Sequence, residues 1–191
     1  SEVLLAYEVN GVPLPPQHGF PVRLLVPGWY GMTSVKWLTR ITAVTAPFEG
    51  FQMDAYRIRE EPDDAGVPVT RILPRALMIP PGIPDFLTRS RLVASGAQEL
   101  VGRAWSGWGP ISRVEVSVDG GRWAEAELGQ ALGPDAWAAW RFAWNPEPGE
   151  HELACRATDT AGNVQPEEPR WNHHGFQNNE VQRLTVTVRE R

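Results

Sequence analysis

Residues 113–128 read RVEVSVDGGRWAEAEL, and this stretch decides the fold. Val114, Val116 and Val118 alternate with charged and small polar residues, so every second side chain turns to one face of an extended strand. Asp119-Gly120-Gly121 then interrupts the pattern before a second run begins. Glycine accepts the positive φ that tight hairpin turns require, so the interruption predicts a hairpin.

The same grammar recurs outward from this point. LVGRAW (100–105), WAAWRFAW (137–144), GEHELACRATD (149–159) and VQRLTVTV (181–188) all alternate. Trp140, Phe142 and Trp144 share one side of their run, as do Leu184, Val186 and Val188 of theirs. Short alternating strands with polar turns and no helical period predict an antiparallel β-sandwich, immunoglobulin-like in size, over residues 93–191. The Cys–Trp–Cys mark of antibody domains is absent, so that likeness is architectural. The single Cys155 excludes an internal disulfide framework and any multi-cysteine metal site. It shares a strand face with Leu153 and Ala157, which predicts a small buried hydrophobe.

Upstream the grammar changes. Residues 1–66 are turn-rich and irregular, with one regular stretch, SVKWLTRITAV (34–44), whose β-branched residues predict a strand. This part is expected to be an incomplete, irregular α+β piece. Residues 67–92 are proline-rich and suit an extended connection over a surface, with a strand-like patch at 75–79. A formal charge of −5 argues against non-specific nucleic-acid binding, which requires a basic face. There is no apolar run long enough to span a bilayer and no signal-peptide pattern at the start. The opening SEVLLAYEVNG has the character of the middle of a domain.

Residues 18–37, HGFPVRLLVPGWYGMTSVKW, pose a chemical question. His18, Arg23 and Lys36 sit on a track stiffened by Pro21 and Pro27 and turned by Gly28 and Gly31. Either these are turns between short strands with solvated basic residues, or the track grips an anion.

On this motif, together with GRAWSGWGPISRVEVSVDGG (102–121) and RATDTAGNVQPEEPRWNHHG (156–175), the chain resembles the C-terminal part of the sulfite oxidase family of molybdenum enzymes. The resemblance runs over essentially the whole chain. It implies three segments: 1–66 as the end of the molybdopterin-binding domain, 67–92 as the connection and 93–191 as the dimerisation domain. It further implies a molybdenum–molybdopterin cofactor contacted by His18, Arg23, Ser34, Val35 and Lys36. Charge-assisted donors in fixed geometry suit the pterin's phosphate, and arginine offers a planar fork that lysine lacks. Tyr56 and His174 are implied on the substrate side as catalytic residues.

Two departures qualify the resemblance. The family's molybdenum-ligating cysteine lies well before the HGxPxR motif and has no counterpart here, so the isolated chain is expected to be inactive. Cys155 falls on a dimerisation-domain strand and is no substitute. In WNHHG (171–175) the second central position carries His174 where the family commonly has arginine. Arginine is a permanent cation with a bidentate fork, whereas histidine is ordinarily neutral near pH 7. Weaker sulfite affinity or a different small substrate is therefore expected.

Other features carry less. Gly107-Trp108-Gly109-Pro110 lacks the following helix that a phosphate loop needs. Glu60, Glu61, Asp63 and Asp64 form a solvated acidic loop. Trp137, Trp140 and Trp144 fit a core or a subunit interface better than a sugar platform.

The expectation is thus a portion of a bacterial sulfite oxidase-like oxidoreductase transferring an oxygen atom to a small oxyanion such as sulfite. Its partners would be a second copy across the sandwich, the rest of the cofactor domain and an unspecified electron acceptor. The compartment is left open between periplasm and cytoplasm. The alternative is a non-catalytic immunoglobulin-like dimerisation or binding module.

Overall fold

In the computed structural model, residues 3–88 and 90–190 are described. By contact the chain divides into two units, one of residues up to Ile72 with Arg170–Asn178, the other of Leu73–Pro169 with the remainder from Asn179.

The first unit contains β1 (Leu4–Ala6), β2 (Glu8–Val9), β3 (Val12–Pro13), β4 (Arg23–Leu25), the short helix α1 (Phe51–Ala55), β5 (Arg57–Ile58) and β6 (Val67–Pro68). β1 pairs antiparallel with β4, β2 with β3, and β5 with β6. Among the described residues of this unit only Leu14 and Val69 are buried hydrophobics, whereas Leu5, Tyr7, Phe48 and Phe51 stay exposed.

The strand expected over 34–44 does not form. Residues 31–33 make a single 3-10 turn, and no strand follows until Arg57. Main-chain bonds from Leu24 N to Val35 O and from Leu38 N to Val22 O, both 2.9 Å, hold the segment beside β4 at two points. Between them Trp37 takes a φ of 51°, which breaks extended geometry, and its indole Nε1 donates to Pro16 O at 2.9 Å. Turn geometry overrides β-propensity there because no partner ladder rewards the extended form.

The second unit is the sandwich. It contains β7 (Arg75–Met78), β8 (Ile83–Pro84), β9 (Arg91–Ala94), β10 (Gln98–Trp105), β11 (Ile111–Val118), β12 (Ala124–Glu125), β13 (Glu127–Leu128), β14 (Ala138–Trp144), β15 (Gly149–Asp159) and β16 (Gln182–Arg189). One sheet has the order β13-β14-β10-β7, the other β12-β11-β15-β16-β9-β8. Pairing is antiparallel except between β9 and β16, which run parallel with Val188 opposite Val93. The Asp119-Gly120 turn has φ values of 55° and 66° and closes with Gly121 N donating to Val118 O at 2.9 Å. Two successive positive φ angles match the twist of flanking strands, as the sequence predicted.

The proline-rich segment is more structural than a mere connection. β7 is a full member of the four-stranded sheet, and its Ala76 and Met78 are buried. β8, with Pro84, takes the sheet edge, where a missing N–H costs no ladder bond.

The core joins Leu100, Val114, Val116, Trp140, Leu153 and Val186. Burying an aliphatic side chain of this size contributes about 1.5–3 kcal/mol. Gly102 lies opposite Trp140, and a Cβ there would collide with the indole ring and Leu77 O. Cys155 is fully buried in the same cluster, and burial pushes its thiol up to about 12. No described helix is long and apolar enough to cross a membrane.

Candidate functional site

The basic track of the first unit folds around Gly19. This glycine is buried with φ 112°, and a Cβ built on it would lie 3.1 Å from Arg23 Cβ and 3.2 Å from Lys36 Cβ. The stems of Arg23 and Lys36 therefore flank one backbone position that tolerates no side chain. Arg23 Nη1 donates to His18 O at 3.2 Å and Nη2 to Ser34 O at 3.4 Å, long bonds that place the guanidinium between the two segments. Its Nε is buried with no hydrogen-bond partner. An unpaired donor of that kind costs about 1–3 kcal/mol unless an acceptor arrives.

The neighbours are set by the same turns. Lys36 Nζ donates to Gln17 O at 3.1 Å and lies 4.8 Å from the Trp37 ring centroid. Ser34 Oγ accepts from Val26 N at 3.2 Å, leaving its proton available, and Val35 contributes a carbonyl to Leu24 with its side chain exposed. His18 is exposed at the end of a 3-10 turn. His18 and Arg23 line a shallow cavity of about 360 Å³ with Ala6, Glu8, Val9, Leu14 and Leu25. Ser34, Val35 and Lys36 do not line it. Arg23, Lys36, His18 and Ser34 are donors of the types that suit a phosphate on a polar heterocycle.

A second cluster lies in the same unit. The segment 170–178, assigned by sequence to the sandwich, groups by contact with the first unit. Arg170 pairs with Glu60, and His173 N donates to Arg59 O at 2.8 Å. Arg59 in turn pairs with Asp54 at 2.7 Å. Tyr56, at the C-terminal cap of α1, packs against Phe176 with ring centroids 5.5 Å apart, and His174 packs against the same Phe176 at 5.6 Å. Tyr56 and His174 are thus brought to one aromatic ring from positions more than a hundred residues apart. Among the described residues the Tyr56 hydroxyl makes no hydrogen bond, and His173 and His174 are exposed.

Sequence reasoning missed Phe176 and Asn172. Buried Asn172 donates from Nδ2 to Phe176 O at 2.8 Å and accepts from Phe176 N at 2.9 Å. The only local signal was an asparagine ahead of a Gly-containing turn. Among the described residues no three His, Cys, Asp or Glu side chains gather as a metal site.

Two family models match the chain. Residues 1–52 match the family model of the oxidoreductase molybdopterin binding domain, and residues 87–189 that of the Mo-co oxidoreductase dimerisation domain. Mouse (Mus musculus) mitochondrial sulfite oxidase is 39% identical over 98% of the chain and 37% of its own length. Chicken (Gallus gallus) sulfite oxidase is 40% identical over 92% of the chain and 40% of its own length. A barley (Hordeum vulgare) nitrate reductase [NAD(P)H] is 33% identical over 98% of the chain and 24% of its length. The crystal structure of the sulfane dehydrogenase SoxCD from Paracoccus pantotrophus superposes with a TM-score of 0.84 at 29% identity, covering 98% of this chain and 51% of that one. The chain spans well under half the length of these sulfite oxidases. It belongs to the sulfite oxidase family of molybdopterin oxidoreductases, of which it holds the dimerisation domain and part of the molybdopterin-binding domain.

Proposed function

We propose that this chain is part of a molybdenum oxidoreductase that oxidises a small sulfur anion, sulfite by default. Sulfite and water would become sulfate, two electrons and two protons, the electrons leaving to a separate acceptor. Residues 1–66 would supply part of the cofactor clasp, and the sandwich would pair with a second copy. Similarity over 98% of the chain to a sulfite oxidase carries this reading. A non-catalytic dimerisation module is the weaker alternative, because residues 1–52 match a molybdopterin-binding model.

The roles follow from chemistry. Bound molybdopterin would supply the redox centre and its oxygen-atom chemistry. Arg23, Lys36 and His18 would neutralise its phosphate, with Arg23 Nε finding there the acceptor it lacks. Ser34 and the backbone at Val35 would orient its polar edge. Tyr56 would present its free hydroxyl, and His174 an imidazole, to the anion.

Purification of the natural full-length protein with molybdenum and pterin analysis tests the assignment. Arg23→Ala is expected to lose most of both; full molybdenum occupancy in that variant would overturn the phosphate role. A second reading, sulfane sulfur as the substrate, is favoured by the likeness to a sulfane dehydrogenase and by His174 standing where arginine is common. His174→Arg in the same preparation should then lower the KM for sulfite, and an unchanged or raised KM would count against His174 facing the anion.

A further inference from the structure

We propose that Asn172 and Phe176 are positioning residues that together fix the substrate-side pair Tyr56 and His174, and so set the affinity for a small anion. The inference rests on the reading that Tyr56 and His174 face the substrate, and adds what holds them there.

The geometry is that of a clasp. Asn172, 7% exposed, uses both ends of its amide on the main chain of Phe176, at 2.8 and 2.9 Å. Gly175 N closes the turn onto Asn172 O at 3.0 Å, and Gly175 and Gln177 take φ values of 66° and 59°. A turn with two left-handed residues and a doubly bonded side chain has few alternative conformers. The clasp leaves the His174 side chain at an exposed tip while seating Phe176, half-buried, against Tyr56. The tilts are 35° to Tyr56 and 51° to His174, ordinary offset arrangements that resist sliding. His173 meets His174 edge-on at 4.6 Å.

The acidic loop 60–64 borders the cluster, with Asp64 O accepting from Arg59 Nε at 2.9 Å. Two acids beside the cluster, Asp54 and Glu60, are held by Arg59 and Arg170. The cluster itself holds a phenol whose hydroxyl has no protein partner among the described residues and two exposed imidazoles. Histidine lacks arginine's reach and fork, so its contribution depends on being held at the right place.

The test uses the full-length holoenzyme and two readouts: sulfite kinetics, and the Kd for sulfate by calorimetry, which needs no turnover. Phe176→Ala and Asn172→Ala should each raise the KM and the sulfate Kd by about 10- to 100-fold, the loss of one hydrogen bond to a charged group, with kcat changed less than about threefold and molybdenum content unchanged. Phe176→Tyr, which keeps the ring, should restore both to within about threefold of the parent. Should Phe176→Ala fail to fold, Phe176→Leu fills the site without a ring and is expected to raise the Kd likewise. Tyr56→Phe and His174→Ala serve as references. If these weaken sulfate binding while the Asn172 and Phe176 variants do not, the positioning role is overturned and the site reading stands. If neither reference weakens it, both fall.

Discussion

Gln165 offers the sharpest test of how the sandwich is held. It is 1% exposed, in the loop following β15. Its Oε1 accepts from Ala76 N at 2.7 Å and from Ala157 N at 3.2 Å, and its Nε2 donates to Glu180 O at 3.0 Å. Ala76 belongs to the four-stranded sheet and Ala157 to the six-stranded sheet, so a single amide stitches the two layers. Gln165→Ala leaves two buried N–H groups without an acceptor, each costing about 1–3 kcal/mol. With the space vacated by the side chain, the loss is expected to be about 3–6 kcal/mol. Domains are stable by only about 5–15 kcal/mol, so the variant should stand near unfolding.

Urea denaturation followed by tryptophan fluorescence would measure it. Gln165→Leu separates the causes, because it refills most of the volume yet offers no acceptor. If stranded donors dominate, leucine recovers no more than about 1–2 kcal/mol of the alanine loss. The reasoning is refuted if leucine restores parental stability, or if alanine costs less than about 1 kcal/mol.

Two further outcomes are expected. Cys155, whose thiol burial pushes up to about 12, should not react with a disulfide reagent at neutral pH until the sandwich is unfolded in urea. Prompt native labelling would show the strand face open. His151 bridges two turns: Nδ1 lies 2.8 Å from Asp119 Oδ2 and Nε2 2.9 Å from Glu147 O. The Asp119 hydrogen bond first, then that to the Glu147 carbonyl, raise the imidazole above its ordinary value of 6.5. A raised folded pKa contributes stability that is complete below 6.5 and lost as pH rises through the folded value. Against His151→Gln, the parent should therefore lose stability from about pH 6.5 upward, while parallel curves across that window would refute the bridge.

The sequence by itself determined what is local. A period of two over 113–118 specifies a strand with Val114 and Val116 inward, because adjacent pleats point to opposite faces. Asp119-Gly120 specifies its turn, because few residues accept two positive φ angles in succession. Cys155 was legible as a buried hydrophobe from the face it shares with Leu153 and Ala157. Residue type alone left the basic track open between solvated turns and a grip on an anion. Tertiary structure decided the rest. SVKWLTRITAV has the residues of a strand, but propensity yields where no ladder is offered and Trp37 turns away to Pro16. The recruitment of 170–178 to the first unit, the two-layer stitch by Gln165 and the meeting of Tyr56 with His174 on Phe176 are long-range pairings. Their energy comes from satisfying buried polar groups and packing rings across more than eighty residues of chain, which no local pattern of amino acids encodes.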